Sequence, residues 1–143
     1  MMYINAFTLH RLYSKKIVRR FKLNALFEML NYFLFNCSVP ASAKIGEGSF
    51  CSHRGMSVVI HKNAIIGRNT VIGTSVTIGG KGKNQPGAPI IGNNCYIATG
   101  AKILGPVTIG NSVTVGANSV VTSNIPDGAT FAGVPAKDIT KRD

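Results

Sequence analysis

The feature that most constrains this chain is a period of six. Aliphatic residues recur at Ile45, at Ile60, Ile66, Ile72 and Ile78, and at Ile91, Ile97, Ile103, Ile109, Val115 and Val121, with Cys51 completing a set of twelve. Glycine follows at positions such as Gly46, Gly67, Gly92 and Gly110. Small or apolar residues, among them Ala64, Val76, Cys95, Ala101 and Val113, stand four places after a repeat start. An amphipathic helix repeats its apolar residues every three or four positions and a half-buried strand every two. A period of six matches a solenoid instead, in which each hexapeptide is one short strand and one turn.

In such a coil the repeat-start aliphatic points inward and stacks on its counterparts above and below. Neighbouring coils pair as parallel strands about 4.8 Å apart. Three hexapeptides close a triangle, so twelve registrations make four coils. A single coil cannot bury its apolar face, and stacking builds the core. The period breaks twice. Cys51 to Ile60 is nine residues, three too many, and Ile78 to Ile91 is thirteen, which reads as two repeats plus one residue. Extra residues in a solenoid leave as loops, and loops on a rigid scaffold carry function.

Residues 1–37 lack the repeat and form a basic, apolar segment with helical composition, distinct from the β-helix region 38–143. The net charge is +11, but six of the sixteen basic residues crowd into positions 11–22 and no aromatic–basic interleaving runs through the repeats. Nucleic acid is therefore not expected as a partner. The apolar run at 23–35 contains Asn24, Glu28 and Asn31 and is shorter than a membrane span. Two readings remain for this segment. One is a helical cap over the open end of the solenoid or on a sister subunit. The other is an interfacial helix touching anionic lipid at the inner face of the membrane. The odd cysteine count (Cys37, Cys51, Cys95) shows no disulfide framework, so a reducing, cytoplasmic setting is expected.

The first break carries His53 and His61; the remaining histidine is His10. Zinc catalysis wants three protein ligands, which the repeats do not supply, so no metal is expected. The second break, 79–89, is rich in glycine, with Lys81 and Lys83, and suits a polyanion or a substrate.

The coils, the HRGMSVVI segment, the SVTIGGKGK loop, IGNNCYIATGAKILGPVTIG and the closing GVPAK together resemble the hexapeptide-repeat acetyltransferases, in the serine acetyltransferase branch. Short surface-polysaccharide enzymes such as colanic acid acetyltransferase are the nearest likeness expected. The resemblance covers residues 38–139 and implies a left-handed parallel β-helix, an all-β solenoid with an N-terminal helical segment. It implies acetyl-CoA as co-substrate, a homotrimer with the cofactor between adjacent prisms, and His53 as general base. Gly79 and Gly80 match loop glycines near the acyl group. Thr99 and Ala117 match small positions along the pantetheine arm, and Lys137, with Lys81 and Lys83 as weaker candidates, matches a lysine near the phosphates.

The pattern also departs from that branch. Ser52 replaces an Asp before the catalytic His, Gly87 and Ala88 replace an Arg-His pair, and Ser38 stands where a carboxylate orients the imidazole. Loss of these groups leads us to expect a sugar or surface-polysaccharide hydroxyl as acceptor. Serine or another small molecule is the alternative, and a non-catalytic β-helix scaffold or a metal-dependent prism are readings from other classes.

Overall fold

The computed structural model describes residues 4–16, 23–82, 84 and 86–141. Helix α1 (Ala6–Tyr13) and helix α2 (Asn24–Phe35) precede the solenoid. The first coil contributes β1 (Lys44–Ile45), β2 (Phe50–Cys51) and β3 (Val59–Ile60), and the second β4 (Ile65–Ile66), β5 (Val71–Ile72) and β6 (Thr77–Gly79). The third contributes β7 (Ile90–Ile91), β8 (Tyr96–Ile97) and β9 (Lys102–Leu104), and the fourth β10 (Thr108–Ile109), β11 (Thr114–Val115) and β12 (Val120–Val121). A hairpin of β13 (Thr130–Ala132) and β14 (Lys137–Asp138) ends the stack.

Three sheets form the faces of the prism. The first holds β1, β4, β7 and β10; the second β2, β5, β8, β11, β13 and β14; the third β3, β6, β9 and β12. Every pairing between coils is parallel. Of the twelve repeat-start residues all but Ile45 are buried, and Ile72, Ile78, Ile97, Ile103 and Val115 are fully so. Ala64, Val76, Ala101 and Val113 fill the gaps between them.

The register corrects one expectation. Ile90 pairs with Thr108, eighteen residues on, as a regular coil requires. Ile65 pairs with Ile90, twenty-five residues on, so the second break inserts seven residues, not one. No repeat is missing between Ile78 and Ile91; β6 runs through one loop directly into β7.

The glycines after the inward aliphatics are needed for space rather than torsion. A Cβ on Gly46 would lie 2.4 Å from the Gly67 carbonyl carbon, and one on Gly67 2.5 Å from that of Gly92. Left-handed backbone falls two positions later instead, at Asn69, Asn94 and Ser112, with φ of 52°, 56° and 54°. Asparagine tolerates that region better than most residues.

The N-terminal helices split the expected roles. Asn5 caps α1 by accepting from Phe7 N and Thr8 N at 2.9 and 3.1 Å. Ala6 and Phe7 then join the same core as the coils, so α1 closes the first coil. The Asn31 side chain, fully buried, donates to Tyr13 Oη at 2.9 Å and to Ala6 O at 3.3 Å. Thus the polar residue that interrupts the apolar run of α2 is its buried anchor on α1, while Leu26, Met29, Phe33 and Leu34 face outward. Among the described residues no helix is long and apolar enough to cross a membrane. Arg19, Arg20 and Lys22 of the basic cluster lie outside the described residues.

Candidate active site

The corner between the second and third faces collects four of the residues that matter. Backbone bonds stack it coil on coil: Ser75 N to Met56 O (2.9 Å), Gly100 N to Thr74 O (2.8 Å) and Asn118 N to Thr99 O (2.9 Å). His53, Thr74, Thr99 and Ala117 therefore stand on successive coils of one edge. The hairpin closes this edge, since Gly133 N donates to Ser119 Oγ at 3.0 Å and Ala136 N to Val120 O at 2.8 Å. Lys137, exposed, follows at once. From the His53 coil to the hairpin is four steps of about 4.8 Å, or about 19 Å.

The three extra residues of the first coil make a 3-10 turn, Ser52–Gly55. Inside it His53 and Arg54 both adopt left-handed backbone, with φ of 46° and 64°. Two consecutive L-residues there cost about 1–2 kcal/mol each. Such strain persists where surrounding packing fixes it and is common at functional sites. It turns the exposed imidazole off the coil. Ser38 does not orient that ring. Its backbone pairs with Val58 O and Ile60 N, and its hydroxyl makes no bond to His53.

His53 opens onto a cavity of about 630 Å³ formed between α1 and the first coil. Asn5, Thr8 and Arg11 line it from α1, and Ser49, Phe50 and Arg54 from the coil. Arg11 Nη2 donates to Ser49 O at 2.7 Å, which ties the guanidinium to the cavity wall. These α1 residues escaped the sequence reading. In the chain Arg11 is one member of a basic run, and no spacing distinguishes it from Lys15 or Lys16.

Gly79, Gly80 and Lys81 lie on a different corner, between the third and first faces. There His61 N donates to Ile78 O at 2.7 Å and Gly105 N to Gly79 O at 2.9 Å. The His61 ring lies over Gly80, whose added Cβ would be 3.9 Å from its Cδ2. Asn63 N donates to His61 Nδ1 at 3.2 Å. A neutral ring accepting at Nδ1 carries its proton on Nε2, so His61 offers an N–H donor beside the loop glycines. A second cavity of about 470 Å³ is lined here by His61, Lys62, Asn63, Gly80, Gly82, Pro86 and Gly87. Lys81 folds over Gly105. Lys83 lies outside the described residues.

One side of the triangle, from Thr74 to Gly80, is six residues and at most about 20 Å. Within one chain the structure thus brings together His53, Thr99, Ala117 and Lys137, and keeps Gly79, Gly80 and Lys81 apart from them. It also holds His53 and His61 on separate corners, and among the described residues no cluster of His, Cys, Asp or Glu could hold a metal. Cys51 adjoins the His53 turn, but burial pushes its thiol well above the ordinary range, and burial raises Cys37 to about 12. Neither thiol is a nucleophile near neutral pH.

Residues 88–123 match the family model "Bacterial transferase hexapeptide (six repeats)". Serine acetyltransferase of Helicobacter pylori (strain J99 / ATCC 700824) is 40% identical over 140 residues, covering 96% of this chain and 81% of that protein. A solved serine acetyltransferase of Neisseria gonorrhoeae superposes with a TM-score of 0.85 at 33% identity, covering 94% of this chain. A solved serine acetyltransferase in complex with CoA superposes with a TM-score of 0.82 at 31% identity. This chain spans about half of those two solved chains, 54% and 55%. These likenesses overturn the expectation of a sugar or surface-polysaccharide acceptor. That expectation rested on four replaced positions, Ser38, Ser52, Gly87 and Ala88, whereas the similarity runs over nearly the whole chain. The replaced positions are single side chains at separate places, with Ser52 lining the His53 cavity and Gly87 the cavity beside Gly80, and their loss does not outweigh a likeness carried by the whole scaffold.

Proposed function

The chain belongs to the serine acetyltransferase family of hexapeptide-repeat transferases, and from that membership we propose that it transfers the acetyl group of acetyl-CoA to the hydroxyl of serine. The observation that carries this reading is the 40% identity over 96% of the chain. The placement of an exposed His53 at the mouth of a cavity of about 630 Å³ agrees with it.

In the proposed reaction His53 takes the proton of the acceptor hydroxyl as that oxygen attacks the thioester carbonyl. The new C–O bond forms a tetrahedral oxyanion, and N–H donors stabilise it. Gly80 supplies a backbone donor, and His61 Nε2–H stands beside it; Gly79, held in the β6–β9 ladder, positions the loop. Collapse breaks the C–S bond, and the imidazolium returns its proton to the departing sulfur, which leaves as the free CoA thiol. Thr99 and Ala117 flank the pantetheine arm, because short side chains leave room along that edge. Lys137 meets the phosphates at the hairpin end, with Lys81 as a second cation.

His53 and Gly80 occupy different corners, so a complete site needs a second copy of the chain. We assign this to a cyclic trimer, in which the His53 edge of one subunit faces the Gly80 edge of the next. In a closed ring each subunit presents both edges.

The test is acetyl-CoA consumption with L-serine, followed as released thiol, for the wild type, His53→Ala and His53→Gln. General-base loss lowers kcat by about 10²–10⁴-fold. Both variants should bind acetyl-CoA as the wild type does. Absence of serine acetylation by the wild type, or full activity in His53→Ala, refutes the reading.

A further inference from the structure

The cavity beside His53 is cationic on one side and lacks an acid. Arg11 reaches it from α1, and Arg54 follows His53 in the turn. No carboxylate among the described residues lines it. Glu47 precedes Gly48 in the chain without lining the cavity. Glu28 Oε1 accepts from Ala41 N at 2.7 Å, and Asp127 accepts from Asn111 N at 2.8 Å. Asp138 Oδ1 accepts from Thr140 N at 2.9 Å, on the C-terminal hairpin. The cavity on the Gly80 edge, which a second copy would present, repeats the pattern with His61 and Lys62 and no acid.

We propose that Arg11 selects the acceptor by its carboxylate, and that the site makes no demand for an ammonium group. This deepens the serine reading and rests on it for the identity of the reacting hydroxyl. The guanidinium is planar, and one N–H of Nη2 is spent on Ser49 O. The second N–H of Nη2, with the N–H beside it, leaves one of the two forks that match a carboxylate. Its anchor is rigid: Ser49 is fully buried, its hydroxyl donates to Gly67 O at 2.7 Å and accepts from Thr70 N at 2.9 Å. A fork held this way loses little further freedom when it binds an anion. With the carboxylate on Arg11 and the hydroxyl at His53, acceptor and base share one cavity. An ammonium placed among Arg11 and Arg54 finds no opposite charge to offset its desolvation.

The experiment compares kcat/KM for L-serine, 3-hydroxypropionate and L-serinamide in the full-length protein, the Arg11→Gln variant and the Arg11→Lys variant. In the wild type serinamide should be slower than serine by roughly 10–100-fold, as for loss of a charge-assisted hydrogen-bond pair. Most of that loss should appear in KM. 3-Hydroxypropionate, serine without its amine, should stay within about threefold of serine, since the amine contributes little where no acid meets it. Arg11→Gln should bring the serine-to-serinamide ratio near one, and Arg11→Lys should restore part of it. This ratio is unaffected by the fraction of protein that folds. If serinamide equals serine in the wild type, or Arg11→Gln leaves the ratio unchanged, Arg11 does not read the acceptor and the serine function stands. The proposal fails in the same way if 3-hydroxypropionate falls more than about tenfold below serine, because an amine contact is then present. If 3-hydroxypropionate reacts and serine does not, the serine function fails and carboxylate selection stands. If neither hydroxy acid reacts, both fail.

Discussion

Substitution of Gly55 by alanine tests whether α1 and the His53 turn are one unit. Gly55 sits at φ +91°, and an added Cβ would lie 2.8 Å from Ala6 Cβ and 3.2 Å from Cys51 Cβ. Two costs follow. The left-handed backbone penalises any L side chain by about 1–2 kcal/mol. Overpacking against Ala6, a core residue with no rotamer to move, adds about 1–3 kcal/mol. Together Gly55→Ala should destabilise the fold by about 2–5 kcal/mol. Gly128→Ala is the matched control: its φ is +71°, with nothing within 4 Å of the added Cβ. It should show the backbone part alone, about 1–2 kcal/mol. Denaturant unfolding of both variants at one protein concentration isolates the packing part as their difference. Hydrogen exchange should then show α1 losing protection in Gly55→Ala only, with a raised KM for the acceptor. Equal destabilisation by the two variants would show that the α1 contact contributes nothing and that the cavity does not depend on it.

Burial lowers the pKa of His10 from its ordinary 6.5, so the folded state holds the ring neutral and the unfolded state takes up the proton first. Stability should therefore be full above about pH 6.5 and fall as pH drops below it, levelling off beneath the depressed folded value. His10→Gln should flatten that slope in unfolding midpoints measured from pH 7.5 to 5, and an unchanged slope would assign the acid sensitivity elsewhere. Lys137→Gln should raise KM for acetyl-CoA by about 5–20-fold with kcat retained, as for loss of one charge-assisted contact to phosphate. An unchanged KM removes Lys137 from the cofactor site. Native protein should resist iodoacetamide at pH 8, because burial raises all three thiols above their ordinary value. Rapid labelling of Cys51 would mean that α1 lifts off the first coil.

Some of the site was legible and some was not, for reasons visible at single residues. His53 stands out because it interrupts a strict period, and an insertion of three residues can only leave the coil as a turn. Thr99 and Ala117 share its edge because residues eighteen apart stack on regular coils. The loop insertion misled by its length. Thirteen residues resemble two repeats plus one, and only the pairing of Ile65 with Ile90 reveals a seven-residue loop. Asn31 misled by its polarity, since a polar residue in an apolar run looks outward-facing until its bonds to Tyr13 Oη and Ala6 O are seen. The acceptor expectation misled because four replaced positions were weighed, whereas the likeness to serine acetyltransferases is spread over nearly the whole chain.

The amino-acid sequence alone determined the solenoid, its coil count and the inward-facing set, because a period is a local rule repeated until it becomes global. Stacking makes each coil depend only on its neighbours, so the pattern carries through without long-range information. Only the tertiary structure decided which corner each loop occupies and that α1 folds back to wall the His53 cavity. Those outcomes depend on contacts between residues 38 positions apart, such as Arg11 and Ser49, and no periodicity encodes them. It also set His53 and Gly80 on separate edges, since the number of residues between them, not their chemistry, sets the corner on which each falls.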